Sequence, residues 1–414
     1  MRRILVLLFL IAVFAFNTQS QTPAATVFEG ARLIVGDGSA PIENSAFVVQ
    51  NNRFLQVGRR GQVNVPAGAA RVDLTGKTVM PAIVDAHTHQ PQMREELIDS
   101  LQRKAYYGVA ALISLGQDTG DQPYQMRQQI IPNAALFRTA GRGITSPEPG
   151  RTNAPYWVTT DAEARKAVQE LAVKKPDLVK IWVDDRNGQY KKLSPELYRA
   201  VIDEAHKHNL RVTAHIVTLA DAKDLLRAGL DGFAHTVRDR DVDDEFITLI
   251  KQRPNFFQIP NLPDRGVRTD LTWLSGSVPA DQLKKLQDES TDRPEAQRAY
   301  GIQARNLARI NREGIRIALG TDGNVPWAHH IEMEDMVVAG MTPAQVITAA
   351  TRNAAQVLNL TDLGTVAAGK SADFLVLDAN PLENITNTRR ISSVYLRGAM
   401  VDRAALRNRM VSGN

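Results

Sequence analysis

Residues 79–89 read VMPAIVDAHTH, an apolar run that ends in two histidines separated by one residue. Side chains alternate along a β-strand, so a strand here would project His87 and His89 to the same face. Two imidazoles on one face can bind one metal ion, although an isolated HTH tripeptide is more often the polar start of a loop. The run therefore predicts a strand, with a metal site at its carboxyl end as a hypothesis.

Seven further apolar runs follow, and stretches with helical periodicity separate them. The runs are VAALIS (109–114), LFRTAG (136–141), DLVKIWV (177–183), RVTAHIV (211–217), DGFAHT (231–236), NFFQIP (255–260) and IRIALGTD (315–322). The clearest helices are DAEARKAVQELAVKK (161–175), SPELYRAVIDEAHKH (194–208) and LADAKDLLRAG (219–229). Eight strands alternating with helices over roughly 250 residues predict an α/β fold, the (β/α)8 or TIM barrel.

Both ends of the chain carry a different pattern, in which short apolar runs are broken by turn residues. Before the barrel, Asp37-Gly38 and Asn51-Asn52 mark hairpin turns. After it, ADFLVLD (372–378) and SSVYLRG (392–398) again read as strands. We expect residues 21–80 and 356–414 to form one composite β-sandwich domain, with the barrel over residues 81–355.

Residues 1–20 have the pattern of a secretory signal peptide. Arg2 and Arg3 precede the apolar run from Ile4 to Phe16, which is too short to span a bilayer. We therefore expect a periplasmic or secreted protein with no membrane anchor after signal cleavage. The formal net charge is +5 with basic residues scattered along the chain, so no nucleic-acid partner is expected. The absence of cysteine excludes thiolate ligands and cysteine nucleophiles.

Polar residues of metal-binding type end several other predicted strands. His215 ends the fifth run, His235 the sixth and Asp322 the eighth. The functional groups of a TIM barrel lie at the carboxyl ends of its strands. These three side chains are therefore expected on the same face of the barrel as the HTH histidines.

Lys180 places an ammonium group inside the apolar run VKIWV, where an unpaired charge is energetically expensive. One interpretation is a structural ion pair with Asp184, Asp185 or another carboxylate. The other is that the amine is deprotonated and has reacted with carbon dioxide, forming a carbamate that bridges two divalent cations. The residues alone favour neither interpretation.

Taken together, these residues resemble the amidohydrolase superfamily, in particular its imidazolonepropionase-like and Xaa-Pro dipeptidase-like branch. VMPAIVDAHTH is similar to the first-strand signature of that family and DLVKI to its fourth-strand lysine. TAHI, FAHT and GTDG resemble its fifth, sixth and eighth strand signatures. LGTVAAGKSADFLVLD (363–378) resembles the return of the chain into the β-sandwich. The resemblance covers nearly the whole mature chain.

The resemblance implies a binuclear metal centre whose ligands are His87, His89, Lys180, His215, His235 and Asp322. Lys180 would be N6-carboxylated and would bridge two divalent cations, of which zinc suits imidazole and carboxylate ligands. Asp322 would be the catalytic residue that moves a proton to the departing nitrogen. The implied function is that of an exported enzyme cleaving an amide or related C–N bond by metal-activated hydroxide. The substrate would be a dipeptide, an N-acyl amino acid or a cyclic amide.

The substrate itself is less defined by the sequence. The family often has Glu before the sixth-strand histidine and Gly after it, whereas Ala234 and Thr236 occupy these positions here. Arg142, Arg238 and His329 follow predicted strands, in what we interpret as loops, and are candidates for binding a substrate carboxylate. The longest predicted loop, residues 261–298, would form much of the pocket and contains Arg265 and Trp273.

Three other functions are compatible with these residues. A mononuclear deaminase or imidazolone-type hydrolase of the same superfamily would not need Lys180. A lactonase would use the same hydroxide on an ester. An exported metal-binding protein without activity would need no proton-transferring Asp322. In each enzymatic case the partner is a small-molecule substrate, and the sequence leaves open whether the protein is a homo-oligomer.

Overall fold

The computed structural model of the protein describes residues 25–412. The predicted signal peptide, residues 1–20, lies outside the described residues.

The described chain begins and ends with strands and helices that flank an alternating α/β region. The strands are Thr26–Glu29 (β1), Arg32–Leu33 (β2), Ser45–Gln50 (β3), Arg53–Arg59 (β4), Ala70–Asp73 (β5), Thr78–Pro81 (β6), Ile83–Thr88 (β7), Val109–Ser114 (β8), Leu136–Thr139 (β9), Ile144–Thr145 (β10), Tyr156–Trp157 (β11), Val179–Trp182 (β12), Val212–His215 (β13), Gly232–Ala234 (β14), Phe257–Ile259 (β15), Phe374–Leu377 (β16), Ile391–Leu396 (β17) and Ala399–Met400 (β18). The α-helices are Arg94–Tyr106 (α1), Gln122–Met126 (α2), Asp161–Lys174 (α3), Pro195–Lys207 (α4), Leu219–Ala228 (α5), Asp244–Lys251 (α6), Ala280–Glu289 (α7), Pro294–Arg312 (α8), Ala328–Val338 (α9), Pro343–Thr348 (α10), Ala354–Val357 (α11) and Arg403–Ser412 (α12).

Strands from both ends of the chain pack as two small sheets. One has the order β4-β3-β1-β5, and the other has the order β18-β17-β16-β6-β2. In the second sheet Phe374 of β16 pairs with Pro81 of β6 in antiparallel register. Phe374 also packs edge-on against Phe28 and Phe47 of the first sheet, with ring centroids 5.2 Å apart in each pair. Strand β16 from the last part of the chain thus shares a sheet with β6, and its Phe374 shares a core with Phe28 and Phe47.

The middle of the chain forms the predicted TIM barrel. Strands β7, β8 and β9 form one parallel sheet, and β10 to β15 form another in the order β11-β10-β12-β13-β14-β15. Asp177 N donates to Thr139 O at 3.0 Å and joins β9 to the residues before β12. Ala318 N donates to Gln258 O, while Ala86 N donates to Leu319 O, both at 2.9 Å. Residues 316–319 therefore close the barrel between β15 and β7.

The apolar run at residues 79–89 contributes a strand to the sandwich and a strand to the barrel. Its first half is β6 of the sandwich, and its second half is β7 of the barrel. The residue between them, Ala82, donates its N–H to Asp373 of the sandwich, whereas Ile83 donates to Gly108 of the barrel. At this junction one continuous extended stretch, residues 78–88, leads from the sandwich into the barrel.

One predicted detail is corrected by the structure. The eighth strand, predicted over residues 315–322, is reduced to one bridge between Ile317 and Gln258. The backbone bends away from extended geometry at Asp322, whose φ is 55°, and this bend ends any strand there. The domain boundary expected at residue 356 stays a prediction. Among residues 25–412, no helix combines the length and apolar character needed to cross a membrane.

Candidate metal centre

Asp322 lies at the centre of three histidines at the carboxyl ends of the barrel strands. Its Oδ1 atom is 3.0 Å from His87 Nε2 and 3.1 Å from His89 Nε2, and its Oδ2 atom is 3.5 Å from His235 Nε2. Ligand atoms of His87, His235 and Asp322 all lie within 4.8 Å of one another. Residues distant in sequence therefore converge on a volume of the size that one cation occupies.

The hydrogen bonds of His87 show that this arrangement fits a cation. His87 is fully buried, and its Nδ1 atom is 2.8 Å from Asn261 Oδ1. An amide oxygen only accepts, so Nδ1 carries the proton and Nε2 presents a lone pair to the Asp322 carboxylate. Two acceptors facing each other at 3.0 Å repel, and Nε2 has no hydrogen-bond partner among the described residues. A cation between them would remove this conflict.

Two of these residues have a backbone conformation that is unfavourable for side chains with a Cβ atom. His235 has a φ of 92° and Asp322 a φ of 55°. The surrounding hydrogen bonds hold both: His235 N donates to Ile259 O and Asp322 N donates to His87 O, each at 2.8 Å. Strain of this kind costs on the order of 1–3 kcal/mol per residue and concentrates at functional sites. The fold thus positions these two side chains despite a local cost.

His215 lies beside this group and faces a second acid. Its ring centroid is 4.6 Å from that of His235, and its Nε2 atom is 3.1 Å from Asp184 Oδ2. Asp184 is in turn paired with Arg186. The fourth and fifth barrel strands therefore provide an imidazole and a carboxylate next to the three-histidine cluster.

Lys180 points into the same region from β12, where it is 1% exposed. Its side chain forms no hydrogen bond or ion pair with any residue between 25 and 412, and its Nζ atom is 5.5 Å from the centroid of the Trp182 ring. Asp184 is occupied by His215 and Arg186, so the pairing with Lys180 that the sequence left open is not formed. Lys180 is therefore a buried amine without a carboxylate partner.

The electrostatics favour uncharged imidazoles and an ionised carboxyl group. Burial lowers the pKa of His87 to about 4 and that of His215 to about 3. Burial also lowers the pKa of Lys180 to about 7, with Asp322 opposing the shift. Burial by itself would raise the pKa of Asp322, but attraction to any protonated neighbouring histidine outweighs it and holds that pKa well below its usual range. Neutral histidines and an ionised aspartate are the protonation states that bind metal.

Three glycines make room for the centre. A Cβ atom at Gly116 would lie 2.5 Å from the Trp182 ring and 2.8 Å from Lys180 Cγ. At Gly143 it would lie 2.1 Å from the same ring, and at Gly320 it would lie 2.8 Å from His87 Cβ. Any larger residue at these positions would displace the side chains that line the site.

A buried ion pair lies next to the centre and holds the backbone beside Asp322. Asp85 and Lys104 are both 0% exposed, and Lys104 Nζ lies 3.3 Å from Asp85 Oδ2. Asp85 also accepts from Thr321 N at 3.1 Å and from Thr321 Oγ1 at 2.8 Å. The residue before Asp322 is thereby fixed to the strand that carries His87.

The two arginines predicted to bind substrate differ in their surroundings. Arg238 is half-buried beside the centre, its Nε atom has no partner, and it forms no ion pair with a described residue. Burial lowers its pKa, while Asp322 and Asp184 oppose the shift. Arg142 instead donates to Ala154 O at 2.7 Å and to Pro155 O at 2.9 Å. The structure therefore leaves Arg238 available for a ligand, whereas Arg142 holds a loop in place.

The interpretation of His329 as a loop residue is wrong. The residue lies in α9, is 0% exposed, and bonds through Nε2 to Tyr107 O at 2.9 Å. Helix α9 begins at Ala328, directly after the residues that follow Asp322, and its buried face carries His329 into the core. The role of His329 in binding substrate stays a prediction.

Sequence reasoning did not find Asn261 or Gln258. Asn261 orients His87, and Gln258 Nε2 donates to His235 O at 2.7 Å. Both come from the seventh predicted strand and the loop after it. A polar Gln inside the run NFFQIP was the one available signal, because a buried amide needs partners.

The chain is similar to known proteins over most of its length. The model of the amidohydrolase family matches residues 78–401, which include the whole barrel. An imidazolonepropionase from Deinococcus radiodurans is 25% identical over 389 residues, covering 87% of this chain and 92% of that protein. An ochratoxinase from Aspergillus niger is 25% identical over 422 residues, covering 87% of this chain and 82% of its own. The structure of a candidate prolidase from Bifidobacterium longum superposes with a TM-score of 0.76 at 27% identity, covering 94% of this chain and 99% of that chain.

Proposed function

The chain belongs to the amidohydrolase family and is a hydrolase of carbon–nitrogen bonds, and on this premise we propose a binuclear metal-dependent amidohydrolase. The substrate we propose is a dipeptide, an N-acyl amino acid or a cyclic amide. The observation that carries the proposal is the conflict at the centre, where the free lone pair of His87 faces the Asp322 carboxylate at 3.0 Å. The unpaired, buried Lys180 beside it supports two ions rather than one.

In this proposal His87, His89 and Asp322 would hold one cation, and His215 and His235 would hold a second. Lys180, carboxylated on Nζ, would be a ligand of both. A buried amine with a lowered pKa is unprotonated in part near neutral pH, and only the unprotonated amine can react with carbon dioxide. We propose zinc as the ion, since the donors are imidazole nitrogens and carboxylate oxygens.

When bound, two such cations lower the pKa of water and polarise a carbonyl group. Asp322 then has two tasks that its position supports. It is ionised and can accept a proton at Oδ2, and it lies at the mouth of the barrel, where it can return that proton to the departing nitrogen. Asn261 keeps His87 in the tautomer that leaves Nε2 free.

We propose that Arg238 binds a carboxylate of the substrate. Its guanidinium is half-buried and lacks an ion pair within the described chain. A charged group in this position is stabilised when a ligand supplies the opposite charge. Export to the periplasm or to the medium is a further proposal, and it rests on residues 1–20 alone.

The test is a measurement of metal content together with activity on a panel of dipeptides, N-acyl amino acids, cyclic amides and lactones. We expect two divalent ions per chain, hydrolysis of at least one amide class, and loss of activity on chelation that zinc restores. One ion per chain would favour a mononuclear enzyme, and turnover of lactones alone would favour a lactonase. Equal activity after complete metal removal would reject the proposal. Mass analysis of the secreted protein tests export, which predicts a mature chain that begins near residue 21.

A further inference from the structure

A cavity of about 520 Å³ opens beside the proposed metal centre. Two residues of its wall are neighbours of groups already described: Leu262 follows Asn261, and Thr321 precedes Asp322. The cavity thus lies beside residues that adjoin the site at which His87 and Asp322 meet. None of the metal ligands proposed above lines it, so its chemistry is separate from that of the centre.

The opposite wall is one face of α9. Ala328, Ile331, Glu332 and Asp335 recur at the spacing that places side chains on one side of a helix. Residues 262–293 cover this face and contribute the remaining apolar groups, among them Val267, Leu271 and Leu286. The lining therefore combines these apolar side chains with acids, of which Glu332 and Asp335 lie on α9.

Both arginines that the structure describes in this lining are paired with carboxylates. Arg265 is bound by Glu334 at 2.8 Å and by Asp335 at 2.7 Å, and Arg293 is bound by Asp264 at 2.6 Å. Glu332 is 5% exposed, accepts only from the Leu262 N–H and forms no ion pair within residues 25–412. A carboxylate entering the cavity would meet no available positive charge, whereas an amine would meet an unpaired acid.

We infer that this cavity binds an apolar side chain of the substrate, neutral or ending in an amine, and disfavours an acidic one. The inference rests on the proposed function and adds the side-chain class to it. It also assigns the two ends of a substrate to different groups, because Arg238, proposed above to bind the carboxylate, does not line this cavity. Burial and the nearby Asp335 raise the pKa of Glu332, a cost that a bound ammonium group would reduce.

The first experiment needs no variant. Two series of dipeptides, Xaa-Ala and Ala-Xaa with Xaa as Leu, Phe, Lys or Glu, are compared by kcat/KM on the metal-loaded enzyme. We expect the Leu, Phe and Lys substrates to exceed the Glu substrate at least tenfold in one of the two series. Equal rates for Glu and Leu in both series would overturn the inference.

The second experiment narrows the cavity. Val267 lines it and is 37% exposed, so Val267→Trp can be introduced without disturbing the core. We expect the ratio of kcat/KM for the Phe substrate to that for the matching Gly substrate to fall at least tenfold. The control is Val338→Trp, which makes the same change at a 56% exposed position on α9 that does not line the cavity. An unchanged ratio in Val267→Trp, or an equal fall in the control, would overturn the inference.

A binding measurement separates this inference from the proposed function. Calorimetry with 2-phenylethylamine on the metal-loaded protein should give a Kd that rises at least tenfold in Val267→Trp and stays unchanged in Val338→Trp. If no amide is hydrolysed but this difference is found, the function is wrong and the cavity assignment stands. If the amine fails to bind, or binds both variants alike, the cavity assignment is wrong whatever the enzyme hydrolyses.

Discussion

Two buried lysines occupy neighbouring parts of the barrel in opposite electrostatic settings. Lys104, on α1, is 0% exposed and pairs with Asp85 at 3.3 Å. Lys180, on β12, is 1% exposed and has no carboxylate partner among the described residues. Burial of the side chain is the same in both places, so burial alone does not tell a structural lysine from a reactive one.

The difference lies in what surrounds each amine. Asp85 supplies Lys104 with a negative charge and is itself tied to Thr321. The acids near Lys180 are committed elsewhere, Asp184 to His215 and Asp322 to the histidine cluster. One lysine therefore fixes the structure beneath the site, and the other is left available for chemistry within it.

The largest expected effect comes from removing the reactive lysine. Lys180→Ala should lower kcat/KM by on the order of 10⁴-fold or more, because the proposed bridge between the cations is lost. Metal analysis should show fewer than two ions per chain. Lys191→Ala, at an exposed position in the loop after β12, is the control and should change neither quantity. Full activity with two ions in Lys180→Ala would contradict the bridging role.

Removing the structural lysine should act on stability instead. Lys104→Met leaves Asp85 buried without its partner and should lower the free energy of unfolding by about 3–5 kcal/mol. Denaturant titration of the metal-free proteins measures this loss. If Lys104→Met is as stable as the wild type, the ion pair with Asp85 does not stabilise the fold. The contrast drawn between Lys104 and Lys180 would then be wrong.

The metal-free protein should also show the unpaired lysine in its pH dependence. The pKa of Lys180 is about 7 in the folded state, below its ordinary value of 10.5, so the unfolded chain binds more protons between these pH values. Stability should therefore rise with pH across this window, by at most about 1.4 kcal/mol per pH unit from this group. Lys180→Met lacks the contribution, so the wild type should gain stability relative to it from pH 7 to 10. If the free energies of unfolding of the wild type and Lys180→Met differ by the same amount from pH 7 to 10, burial does not lower the pKa of Lys180.

The smallest effect is expected from the residue that orients His87. Asn261→Ala removes the acceptor of the Nδ1 proton and should weaken metal affinity by roughly 10–100-fold. Competition with a chelator of known affinity measures the change. Asn359→Ala, at an exposed position with a similarly positive φ, is a control for the loss of an asparagine from such a backbone position. Equal affinity in Asn261→Ala and the wild type would show that the hydrogen bond does not tune the site.

Much of the site follows from sequence because barrel geometry is regular. His87 and His89 share a face through strand alternation, and the ends of parallel strands meet at one rim. His215, His235 and Asp322 were predicted at that rim for this reason. The extent of the eighth strand and the loop position of His329 were mispredicted, since the backbone bend at Asp322 and the start of α9 depend on contacts from other strands.

The sequence by itself determined the alternation of strands and helices, the two flanking β segments and the set of metal-binding residue types, because each follows from local periodicity. Only the tertiary structure decided that Asn261 holds His87, that Arg142 is engaged by a loop whereas Arg238 is not, and that Lys180 lacks the partner Lys104 has. Those outcomes depend on distances between residues far apart in the chain. Hydrogen bonds and ion pairs act over a few ångströms, and sequence spacing does not specify such distances.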